Sequence, residues 1–384
     1  RPGHVRQHRE VEPQQGVGPH LQQDTRQEFE QPLGEQTING AQSSNLDASV
    51  NLQYTLFDGL GNTYNYRQLK TEKNLTEAQA RQTIEQTLLR VVQQYYQVAR
   101  LRAEAEIAKE AVTLSQQRLS RVETGVQFGN KSRVDLTNAQ VDLDTDSTTL
   151  IEAKTQYRNA RRTLNVLLGQ APNAPVTVEE QVSFQQDLER QALLEQAQER
   201  NSSLQAADYE VKNARLQKKI ANASYFPEVN LTSSYTYSQS ASDAGFLNEQ
   251  RSSGIRSGLE LNMPLFSGFQ NDIRAENAEL RLQNQKNRKA ETKLNVRRDL
   301  TNAYATYEQN LRALRLEKRS VDNARLNLRR TRESYQVGQA TATQLREAQV
   351  NFTRAKTRLT NARYDAKLAE VELYQLAGLL LDEL

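Results

Sequence analysis

The stretch LTNAYATYEQNLRALRLEKRSVDNARLNL, residues 300–328, sets Leu300, Tyr307, Leu314, Val321 and Leu328 seven residues apart. That is the spacing of a helix that packs along one narrow seam. After a break at Gly338 the spacing resumes with Leu345, Phe352, Leu359, Ala366 and Leu373. At places 209 residues earlier stand Val91, Val98, Ala105, Val112 and Leu119, a break at Gly129, then Leu136, Leu143, Leu150, Tyr157 and Leu164. The seam positions and the central glycine match without a gap, so the chain carries two copies of an antiparallel helical hairpin. The remaining segments are attached to these two hairpins.

Composition agrees with long thin helices rather than several compact cores. Of 384 residues 36% are apolar, and the mean hydropathy is −0.81. Lys and Arg (50) nearly balance Asp and Glu (47), so a net +3 gives no argument for nucleic acid. No apolar run is long enough for a membrane-spanning helix. The absence of Cys excludes disulfides, thiolate metal sites and a cysteine nucleophile. The chain opens at Arg1 without Met or a signal sequence and reads as a processed or incomplete product.

Taken in order, residues 1–45 hold all three histidines and four prolines among many Gln and Gly, and read as irregular. In 46–59, Ala48, Val50, Leu52, Tyr54 and Leu56 alternate with polar residues up to Asp58-Gly59, which predicts a strand. Residues 60–169 form the first hairpin, with a helix over 62–124, Gly125 and Gly129 bracketing a turn, and a return helix over 132–168. Residues 170–226 contain a β-like run at 176–178 and a helix over 187–224 bent near Asn201. Residues 227–266 alternate again in two strands, with Tyr235 and Tyr237 in the first. Residues 267–378 form the second hairpin, and 379–384 a tail. Each leading helix is long enough for roughly 100 Å at ~1.5 Å per residue.

Strands of this length, apolar on one face and polar on the other, suit a tilted crossing of a bilayer. Three of them cannot close, and open edges leave backbone groups unpaired in hydrocarbon. The missing strands must then come from other copies of the chain. The narrow helix seams equally suit a ring of helices wetted on both sides, so both arguments predict an oligomeric tube. The fold class expected is mainly α with transmembrane β: duplicated long hairpins forming an α-barrel in the oligomer, topped by a β-barrel to which each protomer gives short strands.

The strand-end motifs Leu56-Phe57-Asp58-Gly59 and Leu265-Phe266-Ser267-Gly268, with the turn motifs that start at Gly129 and Gly338, resemble the TolC-like outer-membrane efflux proteins. The resemblance covers about 46–378. It implies a homotrimer with a 12-stranded barrel over a 12-helix periplasmic tube. It also implies the exit duct of a tripartite efflux pump or type I secretion system, with a periplasmic adaptor at the tip and an inner-membrane pump supplying the energy. Four strands per protomer are implied, yet residues 18–29, where the duplication places the fourth, show no alternation. An abnormal N-terminus is expected, because everything after Leu46 fits so regularly.

The same resemblance makes Gly129, Ser132, Asp135, Gly338, Thr341 and Gln344 candidates for adaptor contact. It makes Glu347, the one acid left where the family places two, a candidate for the periplasmic gate. The plainer reading of both glycines is a hairpin turn that needs positive φ. Tyr54, Tyr235 and Tyr237 read as membrane-interface anchors against outer-membrane lipid rather than as a ligand stack. Asp142 to Asp146 mimics the start of a calcium loop but lacks its later glycine and glutamate, and so reads as a solvated helix face. Arg325, Arg329, Arg330 and Arg332 read as solvated too. With no His after His20, a Ser-His-Asp site has no base, and no phosphate loop or metal spacing occurs. Neither enzyme activity nor a cofactor is expected. The rival class is a soluble coiled-coil scaffold, which leaves the alternating segments unexplained.

Overall fold

The computed structural model describes residues 40, 42–179, 181–185, 188–243 and 248–382. In chain order the elements are β1 (Ser43–Asp58), α1 (Gly61–Gln127), α2 (Arg133–Leu167), α3 (Arg190–Arg200), α4 (Ser202–Ala223), β2 (Glu228–Ser242), β3 (Glu249–Asn262), α5 (Gln270–Gln336) and α6 (Ala342–Ala377). Helices α1 and α5 are each 67 residues, about 100 Å at the α-helical rise. Among the described residues no helix is long and apolar enough to cross a membrane.

The duplication extends to the backbone. Gly59 and Gly268, Gly129 and Gly338, and Gly169 and Gly378 all have positive φ, and each pair is 209 residues apart. Leu60 and Phe269, also 209 apart, are the two non-glycine residues with positive φ among the described residues. Each starts a long helix directly after a left-handed glycine. At Gly59-Leu60 the two consecutive left-handed residues turn the chain from β1 straight into α1, and at Gly268-Phe269 the same pair opens α5 after the irregular residues 263–267, at about 1–2 kcal/mol for each bulky side chain held there. Asp58 Oδ2 accepts the Asn62 N–H at 2.6 Å at one corner, and Ser267 Oγ accepts the Asn271 N–H at 3.4 Å at the other.

The chain divides into two units. The larger, Gln53–Thr232 with Gly258–Leu384, holds both hairpins. None of the twenty seam residues is exposed. Within the hairpins α1 packs on α2 and α5 on α6; the hairpins meet along α1 and α6, and α4 lies against both α1 and α5. The main core gathers Leu300, Tyr307 and Leu373 with Leu193, Ala197 and Leu380. Burying one such leucine contributes about 1.5–3 kcal/mol. Fully buried Glu370 accepts from the Gln185 N–H and from Lys367 Nζ, both at 2.7 Å, and so pins the 181–185 segment. Burial first, then the charge of Glu370, pushes the Tyr307 hydroxyl up to about 12.

In the smaller unit, Ser233–Ser257 joins the described residues up to Leu52. The Ser233 and Ser257 hydroxyls are 2.9 Å apart, and Tyr237 donates to Gln239 at 3.0 Å. The three strands pair in the order β1-β2-β3, which leaves β1 and β3 as the edges. Residues 18–29, where a fourth strand is expected, lie outside the described residues.

Several expectations need correction. The strands are 16, 15 and 14 residues long and β1 begins at Ser43, because backbone pairing continues past the point where side-chain alternation stops. Gly125 lies inside α1 and does not bracket the turn; its carbonyl accepts the Asn130 and Lys131 N–H groups at 2.9 and 3.2 Å. The 176–178 run is not a strand: Val178 turns into the core and its carbonyl accepts from Arg102 at 3.1 Å. The helix over 187–224 is two helices, since Asn201 leaves helical geometry and caps α4 through the Ser203 and Leu204 N–H groups. In the tail, Leu380 is fully buried in the main core.

Candidate functional site at the paired hairpin turns

The two hairpins end in turns of one design. After α1, Gly129 has φ 74; after α5, Gly338 has φ 77. In the first turn Ser132 caps α2: its Oγ accepts the Asp135 N–H at 3.1 Å while Asp135 Oδ2 accepts the Ser132 N–H at 3.1 Å. In the second, Thr341 Oγ1 accepts the Gln344 N–H at 3.2 Å and Gln344 Oε1 accepts the Thr341 N–H at 2.8 Å. Both are capping boxes, which satisfy helix-end donors from within. Asp135 and Gln344 thus have the same local task. The Ser132 hydroxyl, then its N–H, holds the Asp135 carboxyl below the usual carboxylate range.

The turns of the two hairpins also touch. Lys131 Nζ stands 5.0 Å from the centre of the Tyr335 ring, a cation–π contact. Gly125 makes room for it, since a Cβ there would lie 2.5 Å from Lys131 Cγ. Glu347 follows six residues after Thr341, in the second turn of α6. It lines an open polar groove of about 390 Å³ with Arg330, Gln339, Gln344 and Asn351.

Behind the turns lies an ionic cluster. Arg346 on α6 grips Asp146 on α2 with two hydrogen bonds, 2.7 and 2.9 Å, and reaches Asp142 at 3.3 Å. Arg118 on α1 meets Asp142 at 2.6 Å, and Ser115 donates to Asp146. Burial raises the Asp146 pKa, but the hydrogen bonds from Arg346 and Ser115 outweigh it and the net shift is downward. Asp142 and Asp146 are therefore not a solvated face; that reading holds for Asp144, which is exposed. Arg325, Arg329, Arg330 and Arg332 are exposed as expected. The available signal for the cluster was the four-residue spacing of Asp142 and Asp146 on one helix face. Its partners lie on other helices and could not be read from that spacing.

The aromatic candidates belong to the strands. Tyr54 lies on β1 and Tyr235 on β2, both exposed, and Tyr237 is half-buried. Among the described residues no group of His, Cys, Asp and Glu could hold a metal ion.

The family model described as outer membrane efflux protein matches residues 19–170 and 193–379, which covers both hairpins and all three strands. The chain belongs to this family. The outer membrane protein TolC of Vibrio cholerae is 24% identical over 314 residues, covering 77% of this chain and 68% of the relative. The alkaline protease secretion protein AprF of Pseudomonas aeruginosa is 25% identical over 347 residues, covering 87% and 69%. The crystal structure of the outer membrane protein VceC from Vibrio cholerae superposes with a TM-score of 0.73 at 18% identity, covering 88% of this chain and 86% of that one. The fold is that of these channels, and the protein is an outer-membrane transport channel, not an enzyme. A free scaffold of heptad helices does not account for a family match that includes the strands.

Proposed function

We propose that the protein is the passive exit duct of a tripartite efflux pump or type I secretion system. Three copies close a β-barrel in the outer membrane and an α-barrel in the periplasm. An inner-membrane pump supplies the energy and chooses the cargo, and a periplasmic adaptor docks at the hairpin turns. The observation that carries this reading is the near-identical geometry of the two turns, Gly129 to Asp135 and Gly338 to Gln344. One chain so presents two equivalent docking ends. The exposed apolar residues Leu259 and Leu261 on β3 and Leu56 on β1 fit a face turned to lipid. Tyr54, Tyr235 and Tyr237 are its interface anchors, and Glu347 belongs to the gate.

The docking is tested by cross-linking from Thr341→Cys and Ser132→Cys to the adaptor in intact cells. Adducts at both turns are expected; none at any turn position would defeat docking there. Glu347→Gln should reduce the preference for cations over anions in single-channel recordings. An unchanged permeability ratio would remove Glu347 from the gate.

A further inference from the structure

Helices α3, α4 and α5 border a cavity of about 300 Å³ within the larger unit. Buried Ala197 and Leu204 make its floor with half-buried Val296, while exposed Gln198, Lys293 and Arg297 stand at its mouth. Two cations line it and no acid does. Its volume falls at the small end of the range of small-molecule sites, roughly 300–1,000 Å³, which combine an apolar lining with a few polar groups in the same way.

The duplication sets these two cations apart from the ordinary charges of a long helix. At the places 209 residues before Lys293 and Arg297, α1 has Ile84 and Leu88, and Leu88 packs against the main core. In α5 both apolar places hold positive charge instead, four residues apart and so on one helix face. The cations beside them are paired, Lys289 with Asp208 and Arg298 with Asp299 at 2.8 Å. Lys293 and Arg297 have no acidic partner among the described residues.

We propose that this cavity binds a small organic anion with an apolar body and a single carboxylate. The body covers Ala197, Leu204 and Val296 and takes their surface out of water. The carboxylate accepts charge-assisted hydrogen bonds from Lys293 and from the Arg297 guanidinium, whose planar fork suits two carboxylate oxygens. The Gln198 amide adds a neutral donor. A bare inorganic anion leaves the floor wet, and a neutral apolar molecule leaves both cations without a counter-charge, so each binds less well. Every residue of the site comes from one copy of the chain, and the site does not depend on how copies assemble.

The probe is 4-ethylbenzoate, titrated calorimetrically into the full chain in detergent, with the heat of titration into detergent alone subtracted. Saturable binding at one site per chain is expected, weakening as salt is added. Lys293→Gln or Arg297→Gln, both on exposed positions, should each weaken it roughly two- to five-fold, the range for exposed ion pairs. Lys293→Ile with Arg297→Leu, which places the residues of the first hairpin in the second, should abolish saturable binding while the helix content by circular dichroism stays the same. Neutral 4-ethylbenzamide and inorganic sulfate should each bind several-fold more weakly than 4-ethylbenzoate. Failure of the parent chain to bind 4-ethylbenzoate saturably would overturn the proposal, as would parental affinity in both single variants. Sulfate or the benzamide binding as tightly as the carboxylate would also overturn it, because the site would then read charge alone or apolar surface alone.

Discussion

Gly59 and Gly268 share one backbone shape, φ 66 and φ 60, but not one environment. A Cβ on Gly59 would lie 2.6 Å from the Ala223 carbonyl oxygen and 2.8 Å from Phe226 Cβ, whereas one on Gly268 would meet nothing within 4 Å. Gly268→Ala should therefore lose only the conformational cost of a left-handed alanine, about 1–2 kcal/mol. Gly59→Ala should lose that and the displacement of α4 as well. Thermal melts followed by circular dichroism should rank Gly59→Ala clearly lower; equal melting temperatures would refute the steric account.

The ionic cluster makes a pH prediction. The folded-state pKa of Asp146 is lowered, so its contribution is fully present above the unfolded carboxylate value, about 3.9. It is lost as the pH falls through the lower folded value. Asp146→Asn should be less stable than the parent at neutral pH by about 1.5–3 kcal/mol, the range for hydrogen bonds to charged groups. The gap should narrow in strong acid. A gap independent of pH would mean that the charge of Asp146 is not what Arg346 holds.

At the other end of the pH scale, Tyr307 ionises at about 12 in the folded chain, against about 10 in an unfolded one. Its hydroxyl donates to the Gln185 carbonyl at 3.3 Å. Stability should fall as the pH rises from about 10 towards the folded value, because the unfolded state gives up this proton first. Tyr307→Phe should flatten that alkaline fall, which denaturant titrations at several pH values would reveal.

Glu370 holds the 181–185 segment from within the core, so Glu370→Ala should free it and expose Phe184. Chymotrypsin should then cut at Phe184 faster, with the hairpins still intact by circular dichroism. An unchanged cleavage rate would assign the segment's order to Tyr304 and Tyr307 instead, whose hydroxyls donate to the carbonyls of Leu188 and Gln185.

Removing either cap, by Ser132→Ala or Thr341→Ala, should cost about 1 kcal/mol. The loss should appear as faster amide exchange confined to the first turn of α2 or α6.

The sequence displayed the hairpins because a seam recurring every seven residues is a property of one helix at a time, and Leu300 to Leu373 carry it openly. The paired turns were legible for the same reason: Gly129 and Gly338 mark a local backbone need. What could not be read depends on which helices become neighbours. Asp142 and Asp146 look like any exposed acids until Arg118 and Arg346 arrive from other elements. Gly125 looks like a turn residue until the helix continues through it, with Lys131 filling the space a side chain would take. Among the candidate site residues, those that cap were visible, and the bridge between turns made by Lys131 and Tyr335 was not.

The boxes at Ser132 and Thr341 close much of each bend's hydrogen bonding on itself. A protein docked there, as proposed above, would find few main-chain groups to bond, so its grip would have to come from contour and from the outward side chains. Those side chains can change one at a time without disturbing the bend. The same scaffold can accordingly change companions through small edits, keeping its architecture while its allegiance drifts.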